Sequence, residues 1–485
     1  MDAARHLEIR KPLDELELEV VRRDLARPGE VGPEIVGALR YVLSFARLTE
    51  VRAADGQDVE LAEVLAPHRW RVLEAMRPHL GEGSRDETLW GAIRELPALV
   101  AATREHRQRL LQMGTLDRDS LEAEVTTRQL VVVAGGGGGA GYGYAGAFTL
   151  LHRKGLQPEL LAGTSIGSLM SLFRARRRIF DGAPMFAAGR RLSWQKVFRV
   201  FQAESRYGIP ATLRLYLRSA IGSLLRDPAG EPLTFKTMEI PLLVVATGIT
   251  VDALKHDLGW YEHFMDDAVE PGRVMRSSRL ARMSRLFGIF REFMENPGAM
   301  REVVFGADPL TMEADCLDAA GFSSAVPGVI HYDIYRDDQH MKRLLDRLYG
   351  EYGITRLTEG GLVNNVPAQP AYAEVMRGRI TRRNPFVLAL DCFAPSPRSM
   401  AWLPIQQIVR ANVKANLPYA HHYMALQRKL SPVNLVPSVD QIVGAMRWTM
   451  KELEPRIPFI QAVCGGIPVL RELPTGTATS RSAPR

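Results

Sequence analysis

Leu130-Val131-Val132-Val133-Ala134 runs directly into Gly135-Gly136-Gly137-Gly138-Gly139-Ala140-Gly141, and Leu160-Leu161-Ala162 runs into Gly163-Thr164-Ser165-Ile166-Gly167. Both apolar runs are short and unbroken, the pattern of strands buried on both faces. Residues 145–151, and the stretch that follows Gly167 through Leu172, read as helices. The order is strand, glycine loop, helix, strand, tight turn, helix. Such βαβ order belongs to a parallel sheet covered by helices and predicts an α/β fold with a central, mainly parallel sheet. Residues 242–247 and 386–390 are further strand candidates.

Working outward, residues 13–124 carry a helical pattern. Ile35, Leu39, Val42 and Leu43 recur at three- and four-residue steps, as do Ile93, Leu96 and Val100. Pro67, Pro78 and Pro97, with Gly81 and Gly83, predict breaks between several helices. The expected division is a helical N-terminal region over 1–125 and an α/β domain over 126–400 that carries a helical insertion over 175–310. A helical C-terminal extension over 401–473 and a disordered tail over 474–485 follow. The insertion is interrupted by Pro184, Pro210 and Pro228, and residues 331–358 add a stretch with Leu344, Leu345 and Leu348 at helical spacing.

Composition narrows the function classes. At 485 residues, 46% hydrophobic and 24% charged, the chain is an ordinary globular protein of two or three units. A net charge of +7 is too mild to signal nucleic-acid binding. Cys316, Cys392 and Cys464 are widely spaced, which suggests neither a disulfide framework nor a cysteine zinc site. No apolar segment follows the N-terminus and no run of 18 apolar residues occurs, so a cytoplasmic protein is expected, with peripheral contact as the membrane option.

Gly163-Thr164-Ser165-Ile166-Gly167 fits a nucleophile elbow, in which a serine sits on a strand-to-helix turn too tight for side chains on its flanks. The hydroxyl is then presented at a helix N-terminus, where backbone donors favour developing negative charge. Gly135 through Gly141 lacks Cβ atoms except at Ala140, so several amides can approach one oxygen, as an oxyanion hole requires. Gly136, Gly137, Gly138, Gly139 and Gly141 are the candidate donors. Gly141-Tyr142-Gly143-Tyr144-Ala145-Gly146 also matches a dinucleotide fingerprint, which needs an acid at the end of the second strand. Glu159 instead precedes the second apolar run. For the base that activates Ser165 two readings stand: Asp391 with His421 or His422, in α/β-hydrolase order, or Glu359 in Thr358-Glu359-Gly360-Gly361, which can take the proton directly.

Together these stretches resemble the patatin-like phospholipase family. The resemblance lies in the glycine loop, the Gly-Thr-Ser-Ile-Gly elbow, Ser323-Ser324-Ala325-Val326-Pro327-Gly328 as an Ala-Ser-x-Ala-x-Pro segment, and Glu359-Gly360-Gly361 in place of an Asp-Gly-Gly or Asp-Gly-Ala motif, over roughly 130–394. It implies a three-layer α/β fold and a Ser-acid dyad that hydrolyses acyl esters of phospholipids or other lipids through an acyl-enzyme, with no metal or organic cofactor. By this resemblance Ser165 is the nucleophile, Glu359 the base, and the glycine amides the oxyanion donors. Two departures stand out. Glu359 is one methylene longer than the family's Asp, and Ala140 occupies a position that usually carries Arg or Lys. They support an alternative, a weak or inactive patatin-like module that binds lipid or a partner. Met283, Leu286, Phe287, Phe290, Phe293 and Met294 form one helical stripe, and residues 273–301 hold seven Arg against two Glu. Such a helix either packs on the core or lies on an anionic bilayer.

Overall fold

A computed structural model describes residues 1–84, 87–200, 206–209, 211–250, 297–335, 337–395 and 403–470. The chain forms two compact units. One comprises Met1–Gln129, Val375–Phe386 and Arg456–Arg485; the other comprises Leu130–Glu374 and Val387–Pro455.

The first unit is built from α1 (Ala3–Ala26), α2 (Pro33–Ala46), the antiparallel pair β1 (Glu50–Arg52) and β2 (Asp58–Glu60), α3 (Ala66–Leu80), α4 (Trp90–Gln112), α5 (Arg118–Thr126) and a late helix, Ile457–Cys464. Asp2 caps α1 by accepting the Arg5 amide at 2.8 Å. The stripes read from sequence converge in one core that includes Leu39, Val42, Leu43, Leu96 and Val100. Pro78 and Pro97, expected to break helices, lie inside α3 and α4. A proline inside a helix costs about 3 kcal/mol. Burial of Leu96, Leu99 and Val100 around Pro97, at roughly 1.5–3 kcal/mol per side chain, offsets it.

Within this unit a charged cluster ties distant segments together. Glu17, with no exposed surface, accepts from Arg47 at 2.5 Å, Arg128 at 2.6 Å and Arg40 at 3.2 Å. Arg47 and Arg128 also reach Asp14, each at 2.7 Å. Arg47 continues to Asn384 Oδ1, and Arg40 to the carbonyls of Ala462 and Val463, each at 2.8 Å. Burial by itself would raise the Glu17 carboxyl, but Arg47, Arg128 and Arg40 bring it down to about 2.

The second unit starts on β3 (Gln129–Ala134) and continues through α6 (Tyr144–Arg153), β4 (Pro158–Thr164), α7 (Ile166–Ala175), α8 (Ala183–Arg191), α9 (Trp194–Val197), β5 (Phe198–Val200), β6 (Ala211–Leu215), α10 (Leu217–Ile221) and β7 (Leu242–Thr250). After residue 296 come β8 (Met300–Phe305), α11 (Cys316–Ser323), β9 (Gly328–His331), α12 (Gln339–Tyr352), β10 (Ile354–Thr358), α13 (Ala368–Met376), β11 (Pro385–Asp391), α14 (Leu403–Asn416), β12 (His422–Ala425) and α15 (Val439–Leu453). The main sheet has seven strands in the order β10-β7-β4-β3-β11-β12, with β8 also on β7. Pairs β3/β4, β4/β7 and β11/β12 are parallel, while β8 and β10 run antiparallel to β7. The fold is thus α/β with a mostly parallel central sheet and flanking helices. β3 is buried along its whole length, as its unbroken apolar run requires. A smaller sheet, β5-β6-β9, stands apart from the main one.

The structure corrects two expectations. The stretch 175–310 is not one helical insertion, because β7 is an interior strand and β8 pairs beside it; the run Leu242 to Ala246 is buried on both faces. The segment after 401 is not wholly helical, since β12 extends the main sheet and carries His422, with His421 just before it. Residues 339–352 form a helix that buries Met341, Leu344, Leu345 and Leu348 and ends at left-handed Gly353. The amphipathic stripe at 283–294 and the tail 474–485 lie outside the described residues.

Candidate active site

Ser165 occupies the single-residue turn between β4 and α7, with φ +54° and ψ −128°. Among the described residues it is the one non-glycine with positive φ. Strain of this kind costs about 1–3 kcal/mol and persists where the surroundings dictate it. They do so here: a Cβ on Gly163 would come 2.6 Å from the Ser168 amide nitrogen, and one on Gly167 would overlap the Ala134 carbonyl. Packing of β4, α7 and β3 therefore leaves no room beside the serine except for glycine, and the hydroxyl is pushed to the head of the sheet.

Glu359 follows β10 and opens a short turn over Gly360–Leu362, with Oε1 accepting the Gly361 amide at 3.2 Å. Ser165 and Glu359 flank the same glycine: a Cβ on Gly136 would lie 3.2 Å from Ser165 Cβ and 3.6 Å from Glu359 Oε1. Both side chains are buried, at 6% and 7% exposure. Burial pushes the Glu359 carboxyl up to about 8, against the opposing pull of hydrogen bonds from the Gly361 amide and the Ser165 hydroxyl. The last residue of α11 and the segment after it join the two turns. Ser323 Oγ accepts the Ser165 amide at 2.8 Å and donates to the Val245 carbonyl at 2.5 Å. Two residues on, the Ala325 carbonyl accepts the Glu359 amide at 2.9 Å and the Thr358 hydroxyl at 2.7 Å.

The five candidate oxyanion donors separate by what their amides already do. Gly136 donates to the Asn365 carbonyl at 3.0 Å and Gly139 to the Pro432 carbonyl at 2.9 Å, so neither amide is available to a ligand. Gly141 lies within the 3-10 turn Gly138–Gly143, packed against Ile166, and does not line the cavity. Gly137 and Gly138 remain. Both have positive φ and line the cavity, and their amides have no acceptor among the described residues. Sequence reading missed Ile166 N–H, at the first position of α7, a further donor beside the serine with no acceptor among the described residues; the elbow pattern itself supplied the clue.

Asp391 does not serve Ser165. It accepts from the amides of Phe393 and Ala394 at 2.7 and 2.9 Å and from the Tyr423 hydroxyl at 2.7 Å. His421 Nδ1 accepts the Val387 amide at 2.9 Å, and neither His421 nor His422 lines the cavity that holds Ser165. The acid required by a dinucleotide reading, Glu159, pairs with Arg178 at 2.8 Å.

Ser165, Glu359, Gly137 and Gly138 stand at one end of a cavity of about 340 Å³. Apart from Ser324 and Asn365, the rest of its wall is mostly aliphatic and aromatic, with Leu169, Met170, Phe173, Leu215, Ile221 and Val409 among its side chains. Among the described residues Glu359 is its one carboxyl, and no Lys, Arg or His lines it. Ser324 Oγ, Glu359 Oε2 and Asn365 Nδ2, all buried at the polar end, have no hydrogen-bond partner among the described residues. No group of three His, Cys, Asp or Glu among those residues is arranged to hold a metal ion. No described helix is long and apolar enough to cross a membrane.

A mostly parallel sheet that presents a serine on a strand-to-helix turn, beside a glycine loop and a buried carboxyl, defines an α/β domain of the hydrolase type. Residues 131–372 match the model of the Patatin-like phospholipase family, and the chain carries a domain of that family. The match supports a hydrolase at the level of the family, one of lipid acyl hydrolases in general. No curated protein matches the chain.

Proposed function

We propose that the protein is a serine acyl hydrolase that cleaves lipid esters through Ser165 and Glu359. The observation that carries the reading is the pairing of a serine strained to φ +54° with a carboxyl across Gly136, at the polar end of an apolar cavity. The reaction has two halves. Ser165 Oγ attacks the ester carbonyl as its proton passes to Glu359, the oxyanion is met by the amides of Gly137, Gly138 and Ile166, and the alcohol leaves with that proton. Water then gives a proton to Glu359, attacks the acyl-enzyme and frees the carboxylic acid as Ser165 recovers its proton. The apolar wall suits an acyl chain, and peripheral contact with a lipid surface is the proposed route of supply.

A second reading draws on one observation. A carboxyl held near 8 is mostly protonated at neutral pH and a poor base, which favours a slow enzyme or a lipid-binding module. One experiment separates the two. Wild-type protein and Ser165→Ala are incubated with a fluorophosphonate probe and with mono- and diacyl lipid vesicles. Labelling and ester hydrolysis that vanish in Ser165→Ala while vesicle binding persists support the enzyme. Wild type that binds vesicles but is neither labelled nor active supports the module.

A further inference from the structure

α14 lies beyond residue 372, outside the matched domain, yet it reaches into the turn that carries Glu359. Asn412 Nδ2 donates to the carbonyls of Gly361 at 2.9 Å and Leu362 at 3.3 Å, and its Oδ1 accepts the Asn365 amide at 3.2 Å. One helical turn on, Asn416 Oδ1 accepts the Gln369 amide at 2.9 Å and Asn364 Nδ2 at 3.2 Å, while its Nδ2 donates back to the Asn412 carbonyl at 3.0 Å. Sheet residues grip this turn at its two ends, at Glu359 through Thr247 and at Asn364 through Thr164. Gly361 and Leu362, between those ends, are held by Asn412.

Gly361 is also the residue whose amide donates to Glu359 Oε1. A continuous path therefore runs from the Asn412 amide to the Gly361 carbonyl, through Gly361 to its own N–H, and on to the carboxyl. Without Asn412, a glycine with no side chain is free to tilt, and the carboxyl tilts with it. We infer that Asn412 is a positioning residue which, through Gly361, holds the Glu359 carboxyl against Ser165, so that the helix beyond the matched domain completes the site. The inference rests on the proposed role of Glu359 as the base.

The test compares wild type, Asn412→Ala, Asn412→Asp and Lys414→Ala, a control on the exposed side of the same helix, in hydrolysis of p-nitrophenyl butyrate across a range of pH. Asn412→Asp keeps the shape and the acceptor for Asn365 but loses both donors, so it reads the same effect if Asn412→Ala does not fold. A displacement of about 1 Å costs on the order of a hundredfold, so kcat should fall about ten- to a hundredfold with KM within about twofold. The midpoint of the pH profile should rise in both Asn412 variants as the Gly361 donor is misaligned, while Lys414→Ala should match wild type. Unchanged kcat and midpoint in the folded Asn412 variants, with Ser165→Ala inactive, would overturn the positioning role and leave the proposed function standing. A loss of folded protein with an unchanged midpoint in the remainder also counts against it. An inactive wild type unlabelled by fluorophosphonate would remove the premise instead.

Discussion

Glu359 must be a carboxylate to take a proton, yet burial keeps it protonated up to about 8. The sign of the pH effect follows. kcat/KM should climb about tenfold per pH unit through the neutral range and level off above about 8, and Glu359→Gln should be slow and flat. Glu359→Asp should also lose activity, because the longer side chain already stands beside Ser165 and a shorter one draws the carboxyl back. Stability runs the other way. The folded value lies above the ordinary 4.5, so the folded state keeps a proton that the unfolded chain releases; this contribution is complete below 4.5 and is lost as pH rises through 8. Thermal unfolding at about pH 6 and about pH 9 should show a smaller drop for Glu359→Gln than for wild type. Both turns were legible in the sequence because tight turns need glycine neighbours. It did not reveal which glycine amides were free, because the acceptors for Gly136 and Gly139 lie at Asn365 and Pro432, far along the chain.

Among elements, the elbow is the least tolerant. Gly167→Ala would drive a methyl into the Ala134 carbonyl and must shift α7 or β3. Overpacking of this kind costs about 1–3 kcal/mol. A lower urea midpoint and slower fluorophosphonate labelling should appear together, because the same displacement moves the serine. Strands β3, β4, β7 and β11 were legible as unbroken apolar runs, since interior parallel strands need apolar groups on both faces. β12 was not legible: His422 to Ala425 is short, partly polar and defined by its pairing with Leu388 to Asp391. Pro97 misled for a related reason, since tertiary burial outweighed a local penalty.

For the whole molecule, the first unit holds a buried ionic cluster beside its apolar core. Glu17→Gln would leave Arg47 and Arg128 sharing Asp14 as their remaining carboxylate and Arg40 without the one it holds at 3.2 Å, and breaking such a buried cluster costs about 3–5 kcal/mol. Urea unfolding followed by hydrogen exchange in α1 and α2 should register it. The acid limb has a definite sign. Glu17, held near 2 against an ordinary 4.5, contributes stability that is present above 4.5 and lost as pH falls through 2. None of this was visible in a one-dimensional reading, because the residues that meet, Glu17, Arg128, Asn384 and Ala462, belong to segments hundreds of positions apart.

That arrangement sets a timetable for biosynthesis. Arg40 finds two of its acceptors in Ala462 and Val463, which leave the ribosome long after α1 to α5. At about 5–20 residues per second, the N-terminal helices wait roughly a quarter of a minute to a minute before their last partners emerge. A nascent chain arrested before that point should present these helices to chaperones with Arg40 still short of two acceptors, however complete the domain behind them.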